Sequence, residues 1–510
     1  MTKGASSNEE GLARINAQAG IRRDGTPLDD DYYTDGEWVR FYRGKPKKMG
    51  GWRLTTSQMN GPSRGLFVYP RQTQYDAYNF HPRGLEVVAL DANGNGGTPT
   101  DRTPVGFVPD DNYTWSFGTL FDATGSPNAK IICHAASTAL NIDDPTNLPV
   151  WFGNVLDTLP LTEVTTAPTR VSGGCVILQP FLFIYGNDGL ITNSDRNDPT
   201  NFTTGGASEA NSVNVAGTKI VKGVSLRGGT NAPAGLFWSL NSLIRVSYVG
   251  GLQIFRYDPI SEETSIMAQN SVIEYDGIYY WIAQDRFLMY GGTIREVPNQ
   301  LNLDWFFNNL NWPYRNKIIA TKIQRYGEIW WLFPKGTSTE CNHAIIYNVR
   351  ENTWYDTPLD RTSAWYSQVF RYPLMVGGTP ADPLDAASYP LYVHEVGLNA
   401  AELNQILAIR SFFQTPDIGL VAAGKNQWVQ IERLEPDFLQ SGLMQMMIRG
   451  QEYNQSAITE SIFNFAENQE RVDVRRQYRH VRLKFTSNTQ NGDYFMGRPL
   501  LTLAPGEVRE

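Results

Sequence analysis

The chain has 510 residues, with 44 Lys+Arg against 52 Asp+Glu and a formal net charge of −8. That length exceeds what one hydrophobic core accommodates, so two or three domains are expected. Aromatic residues at 12%, 46 Gly and 29 Pro, beside only 19% charged residues, suit an all-β protein rich in turns and exclude a helical or disordered chain.

The acidity is unevenly spread: residues 55–400 hold 22 basic against 31 acidic side chains, whereas the two ends are close to balance. A protein that grips nucleic acid by its phosphates shows the opposite bias, so ordinary DNA binding is disfavoured. No apolar run approaches the roughly 20 residues of a membrane span, and the first 30 residues are polar, without a signal-peptide core. Neither a membrane anchor nor secretion by a signal peptide is expected, and synthesis in a cytosol follows.

Residues 1–35 read as an extended polar arm, and Asp29-Asp30-Asp31 within it reads as a solvated acidic run in preference to a cation site. From Gly36 to Trp52 the chain turns aromatic and basic. Trp38, Val39, Phe41 and Tyr42 form a short strand, Gly44 and Pro46 turn it, and Arg40, Arg43, Lys45, Lys47 and Lys48 guard a sheet edge. Strand text continues to about residue 150. Asp91, Asn93, Asn95 and Gly96 match the first half of a calcium loop, but Arg102 stands where the closing Glu belongs, so a glycine-rich loop is predicted. Cys133, Cys175 and Cys341 are odd in number, far apart and set in apolar text, which predicts buried reduced thiols.

The most regular stretch is Ile318 to Leu359. It reads as four strands: Ile318–Gln324, Ile329–Phe333, His343–Val349 and Trp354-Tyr355, with turns at Tyr326-Gly327-Glu328 and Arg350-Glu351-Asn352. The same plan occurs upstream around Tyr275-Asp276-Gly277-Ile278, with Ile278 51 residues before Ile329, a spacing near the roughly 40–50-residue period of propeller blades. Looser copies start at Cys175, Gly235 and Val369. Four strands cannot bury both their faces alone, so copies must stack. A β-propeller of six or seven blades is predicted in preference to a sandwich of hairpins. Residues 298–315 carry apolar side chains at helical spacing and predict a short helix inserted between blades and buried by its neighbour. In the C-terminal run Arg471 to Phe485, strict alternation puts Arg475, Gln477, Arg479, Val481 and Leu483 on one strand face. Arg476, Tyr478, His480, Arg482 and Lys484 fall on the other, which then reads as basic throughout.

Little points to catalysis. His81, His134, His343, His394 and His480 have no partner at metal-ligand spacing, and neither a nucleophile elbow nor a phosphate-binding loop is present. No enzyme activity and no cofactor or metal are expected, although paired carboxylates for glycoside cleavage cannot be read from sequence. With 13 Trp and 25 Tyr, a carbohydrate-binding or carbohydrate-cleaving propeller is one alternative, and an intracellular scaffold propeller another.

The residues Arg23-Asp24-Gly25-Thr26, Trp38-Val39-Arg40-Phe41 and Arg43-Gly44-Lys45-Pro46-Lys47 with Gly50-Gly51 resemble the opening of the tail-hub or nozzle proteins of short-tailed bacteriophages, also called packaged-DNA stabilisation proteins. The stretch Ser411 to Phe438 and the runs after it resemble that family's C-terminal β-sandwich. The resemblance implies an N-terminal arm with platform strands (1–55), a β-propeller (56–400) and a C-terminal β-sandwich platform (401–510), so that the propeller is inserted into a platform made by both chain ends. It further implies a structural protein of the virion tail, made in the host cytoplasm. Six copies would form a ring that extends the portal and adaptor channel, meets tail fibres or tailspikes, retains packaged double-stranded DNA and conducts it at ejection without specific binding. An acidic wall would repel phosphates, consistent with the charge balance. Candidate assembly contacts are Arg40, Arg43, Lys47, Lys48, Arg475, Arg476, Arg479 and Arg482, whose cations would meet acidic surfaces on a neighbouring subunit or the adaptor.

Overall fold

The computed structural model describes the chain except residues 1–10, 16, 27–30, 122–128, 138–147, 169–170, 227–232, 252, 367–368, 380–387, 403–404, 421–424 and 507–510, and the side chains of residues 56 and 137. The acidic run at Asp29-Asp30 therefore lies outside the described residues, and only Asp31 of it is placed.

Seven antiparallel sheets follow one another along the chain and close into a ring. Six are four-stranded and each is contiguous in sequence, with inner strands Gly65–Pro70, Tyr113–Phe121, Gly174–Leu178, Ile220–Ser225, Ile273–Tyr275 and Ile319–Ile323. The seventh blade takes Arg361–Trp365, Leu374–Gly377 and Tyr389–His394 from the far end of the propeller. Its fourth strand is Trp52–Met59, laid antiparallel with Leu54 opposite Tyr392. The ring is thus closed by hydrogen bonds between residues more than 300 positions apart, and this strand crosses the sequence-based boundary at residue 55. The fold is a seven-bladed β-propeller.

The middle strands of the blades are largely apolar because both their faces are covered, with buried polar exceptions such as Asp76, Asn79 and Glu86, and alternation decides which neighbour a side chain meets. In Glu328–Phe333, Trp331 packs back against the fifth blade with Tyr280, Ile282 and Phe287, whereas Trp330 turns the other way. In Ile278–Ile282, Tyr279 and Trp281 face the fourth blade beside Trp238, and Tyr280 and Ile282 face the sixth. A separate apolar cluster fills each blade interface. The predicted helix is shorter than the pattern suggested: Leu303–Asn309 is α-helical and Trp312–Lys317 is 3-10. It sits between the fifth and sixth blades, with Phe306 buried against Phe287 and Phe333.

The two chain ends build the platform together. Gly11–Arg14 pairs with Leu500–Pro505, and Asp35–Glu37 with Ser411–Gln414. The pair Val39–Tyr42 and Lys45–Lys48 joins Asp493–Met496 through Lys47 and Phe495. The long strands Met444–Gln451, Thr459–Phe465 and His480–Ser487 complete a five-stranded sheet. Platform residues Phe41, Phe413, Met446 and Phe485 share one apolar cluster with Trp330, Leu332 and Tyr355 of the sixth blade, so no solvent layer separates platform from propeller.

Candidate functional site: the platform surface and the propeller mouth

The N-terminal residues singled out by sequence lie where arm, platform and sixth blade meet. Arg23 donates from Nε to Asp356 Oδ1 at 2.8 Å, from Nη1 to Asp35 at 2.5 Å and from Nη2 to the Gly36 carbonyl at 3.0 Å. The other oxygen of Asp356 meets His343 Nε2 at 2.9 Å. Burial alone would raise the Asp356 pKa, but Arg23 and His343 outweigh it and hold the carboxyl below its usual value. The next residue, Asp24, accepts from the backbone N–H groups of Asp304 and Trp305 and so caps the helix between blades.

Arg40 does not sit on a surface. It is 0% exposed, its guanidinium donates to Glu328 at 2.9 and 3.1 Å and to Glu395 at 2.9 and 2.5 Å, and it lies 3.7 Å over the Tyr326 ring. Burial alone would lower its pKa, but the two carboxylates hold it well above its usual value. Tyr355 Oη and Trp330 Nε1 donate to the remaining lone pairs of Glu328. Every partner comes from the sixth blade or the segment after the seventh, so Arg40 cannot be an assembly contact. It is an internal tie from the platform to the propeller. The same correction applies to Lys48, which is 2% exposed and donates to the Gly492 carbonyl at 2.7 Å, with burial lowering its pKa to about 8. A signal for Arg40 was present in the partner strand: Glu328 opens the otherwise apolar run EIWWLF, and a carboxylate buried there requires a cation.

The other candidate cations divide by exposure. Arg43 is exposed, and its backbone N–H donates to Glu351; Lys47 is half-buried beside Phe495. Arg475 and Arg476 are exposed, Arg476 donating to Ser461 Oγ at 3.2 Å, while Arg479 and Arg482 are half-buried. The run 471–485 is not one alternating strand. Arg475 has φ 50°, the register shifts opposite it, and Arg479 separates Val472–Tyr478 from His480–Ser487. The supposed basic face is broken as a result: Tyr478 and His480 are buried, and His480 bonds Asp417 at 2.6 Å.

The open face of the five-stranded sheet forms a groove of about 680 Å³ lined by Asp35, Arg410, Met447, Arg449, Glu460 and Lys484. Lys484 Nζ lies 3.4 Å over Phe412, and Arg449 pairs with Glu460 at 3.1 Å. On the propeller, a cavity of about 190 Å³ opens where the inner strands of the second to sixth blades begin or approach one another.

Among the described residues, no three His, Cys, Asp or Glu side chains come together to hold a metal ion. All five histidines and all three cysteines are buried. His134 bonds the Val171 carbonyl, and His394 accepts from Arg361 Nε at 3.0 Å. In the glycine-rich loop, Asp91 takes the N–H groups of its own Asn93 and Asn95, and Arg102 is buried against backbone carbonyls of Leu159 and Asn154. Of the 13 Trp, only Trp312 is exposed, so the aromatic richness that suggested sugar stacking fills blade interfaces instead.

These features define an all-β protein in which a seven-bladed propeller is carried on a sandwich platform. No family model matches the chain, and no curated protein does. Among solved structures, similarity extends to the exo-β-1,3-galactanase of Phanerochaete chrysosporium bound to galactose, at 7% identity and TM-score 0.27, covering 88% of this chain and all of that one. It extends also to BBS1N from its complex with ARL6DN, at 9% identity and TM-score 0.40, covering 68% of this chain and 98% of that one. Likeness at this level carries no function across.

Proposed function

We propose that this chain is a structural subunit of a short-tailed phage virion, six copies of which form the nozzle ring below the portal and adaptor. The observation that carries this reading is where the motif residues fall. Arg23, Asp24 and Arg40, which bear the likeness to the nozzle family, tie arm, platform and propeller together, and that inserted-propeller architecture is what the likeness implies. In this reading the platform surfaces bearing Arg43, Arg475 and Arg476 meet acidic patches on the next subunit or the adaptor. DNA passes through the ring without being gripped, and no chemistry is performed. Interrupting the gene with a nonsense codon tests it: filled heads should lose their DNA and regain infectivity when the chain is supplied in trans. Infectious, DNA-retaining particles made without the chain would overturn the reading.

A further inference from the structure

A crevice of about 360 Å³ lies between the sixth and seventh blades, next to the point where platform residue Arg40 enters. Three segments wall it: the turn after Ile319–Ile323, the connection before Leu374–Gly377, and the residues that follow Tyr389–His394. Arg325 and Arg371 line it and are exposed, each over a tyrosine of its own segment, 5.3 Å from the Tyr326 ring and 5.1 Å from the Tyr372 ring. Ile323 and Pro373, both buried, and half-buried Val396 supply the apolar part of the wall. The turn that carries Arg325 is braced, because Arg350 donates from Nη1 to the Arg325 carbonyl at 2.9 Å and from Nη2 to the Gln324 carbonyl at 2.8 Å.

These two arginines lack what other exposed arginines of the blades have. Arg196, Arg256 and Arg286 pair with carboxylates at 2.8, 2.7 and 2.6 Å. Among the described residues, no carboxylate pairs with Arg325 or Arg371, whose contacts are with rings. The one acid in the described wall, Glu395, is already engaged, since Arg40 donates to both its oxygens. In a chain of net charge −8, two guanidinium groups are thus left without an internal anion on a partly apolar crevice.

We propose that this crevice binds an acidic protein segment, with an apolar side chain seated against Ile323, Pro373 and Val396 and flanking Asp or Glu carboxylates on Arg325 and Arg371. Each arginine takes its own carboxylate, so no single group has to reach both. A guanidinium lying over a ring keeps its N–H edge open to a bidentate carboxylate and loses little further freedom on binding. Nucleic acid suits the crevice less well. Two of its three tyrosines already carry a guanidinium where a base would stack, and two cations are few for a phosphate track. The inference goes beyond the ring reading and does not depend on it, because the crevice belongs to the isolated subunit.

The test is calorimetric titration of the full chain with a set of short capped peptides that carry Leu, Phe or Tyr at the centre and Asp or Glu at varied spacing on both sides. The same peptides with Ser at the centre, and oligothymidylate, serve as comparisons. At least one acidic peptide should bind saturably with Kd below about 1 mM, and about tenfold or more weaker once Ser replaces its central residue. Arg325→Gln and Arg371→Gln should each weaken it about tenfold, the effect of one charge-assisted contact. Arg256→Gln, which removes an exposed cation elsewhere on the propeller, should bind as the parent does, and all three variants should keep the parental thermal midpoint. Absence of binding by every acidic peptide, parental binding by Arg325→Gln and Arg371→Gln, or an equal loss in Arg256→Gln would overturn the proposal. Oligothymidylate binding more tightly than the best peptide would overturn it too, by showing a nucleic-acid site.

Discussion

At the scale of single residues, the tie centred on Arg40 makes a sharp prediction. Its guanidinium neutralises two carboxylates, and removing it leaves Glu328 buried and uncompensated. Arg40→Met should therefore cost about 3–5 kcal/mol in urea unfolding, and adding Glu328→Gln and Glu395→Gln should recover much of it. Arg40→Lys should not rescue, because one ammonium cannot make the paired forks and the Tyr326 stack. The histidines give a pH dependence. Burial lowers His81 and His134 to about 4, so between about pH 6.5 and 4 the unfolded chain binds protons that the folded chain refuses. Stability is then full above about pH 6.5 and falls by about 1.4 kcal/mol per pH unit per histidine on acidification. Urea midpoints measured from pH 7 to 5 check this, and a flat profile would contradict the burial of both rings. Sequence showed that these residues exist but not their roles, since the partners of Arg40 lie about 290 and 355 positions away and no local pattern encodes such a meeting.

Elements within a blade were legible to within a few residues. The strands read at Ile318–Gln324, Ile329–Phe333 and His343–Val349 occupy Ile319–Ile323, Glu328–Phe333 and His343–Asn348. Local chemistry is the reason: Asp276 and Gly277 adopt φ of 50° and 81°, the left-handed turn that their residue types favour. The failures are equally physical. Strict alternation misread the run at Arg471 to Phe485 because a bulge at Arg475 shifts the register, and a bulge leaves no strong mark in sequence. Closure of the last blade by Trp52–Met59 was likewise unread, since it pairs distant strands, and it supplies a prediction. A protease site placed at Val105, which is 89% exposed between the first two blades, should yield two fragments that run apart on a denaturing gel yet elute together under native conditions. Separation without denaturant would contradict the closure. In the platform, a side chain at Gly450 would run into the Tyr478 ring. Gly450→Val should lower stability by about 1–3 kcal/mol, and Tyr478→Ala in the same chain should relieve part of that loss.

At the scale of the whole molecule, seven blade interfaces and a platform fused to the sixth blade by one apolar cluster make one packed unit, with exposed cations on the platform at Arg475 and Arg476 and on the blades at Arg196, Arg256 and Arg286. Arg475 and Arg476, unlike Arg40 and Lys48, are free to be reversed without disturbing the core. The double variant Arg475→Glu with Arg476→Glu should keep the thermal midpoint of the parent within about 1 kcal/mol of stability, as surface changes do, yet fail to enter virions. Parental incorporation of that variant would return this strand to ordinary solvated surface. The most direct test of the account is electron cryomicroscopy of purified particles from a phage that carries this gene. The account requires a six-fold ring beneath the adaptor, platforms in mutual contact and a seven-bladed propeller on each subunit; virions that lack the chain, or that carry it away from the tail axis, would contradict it.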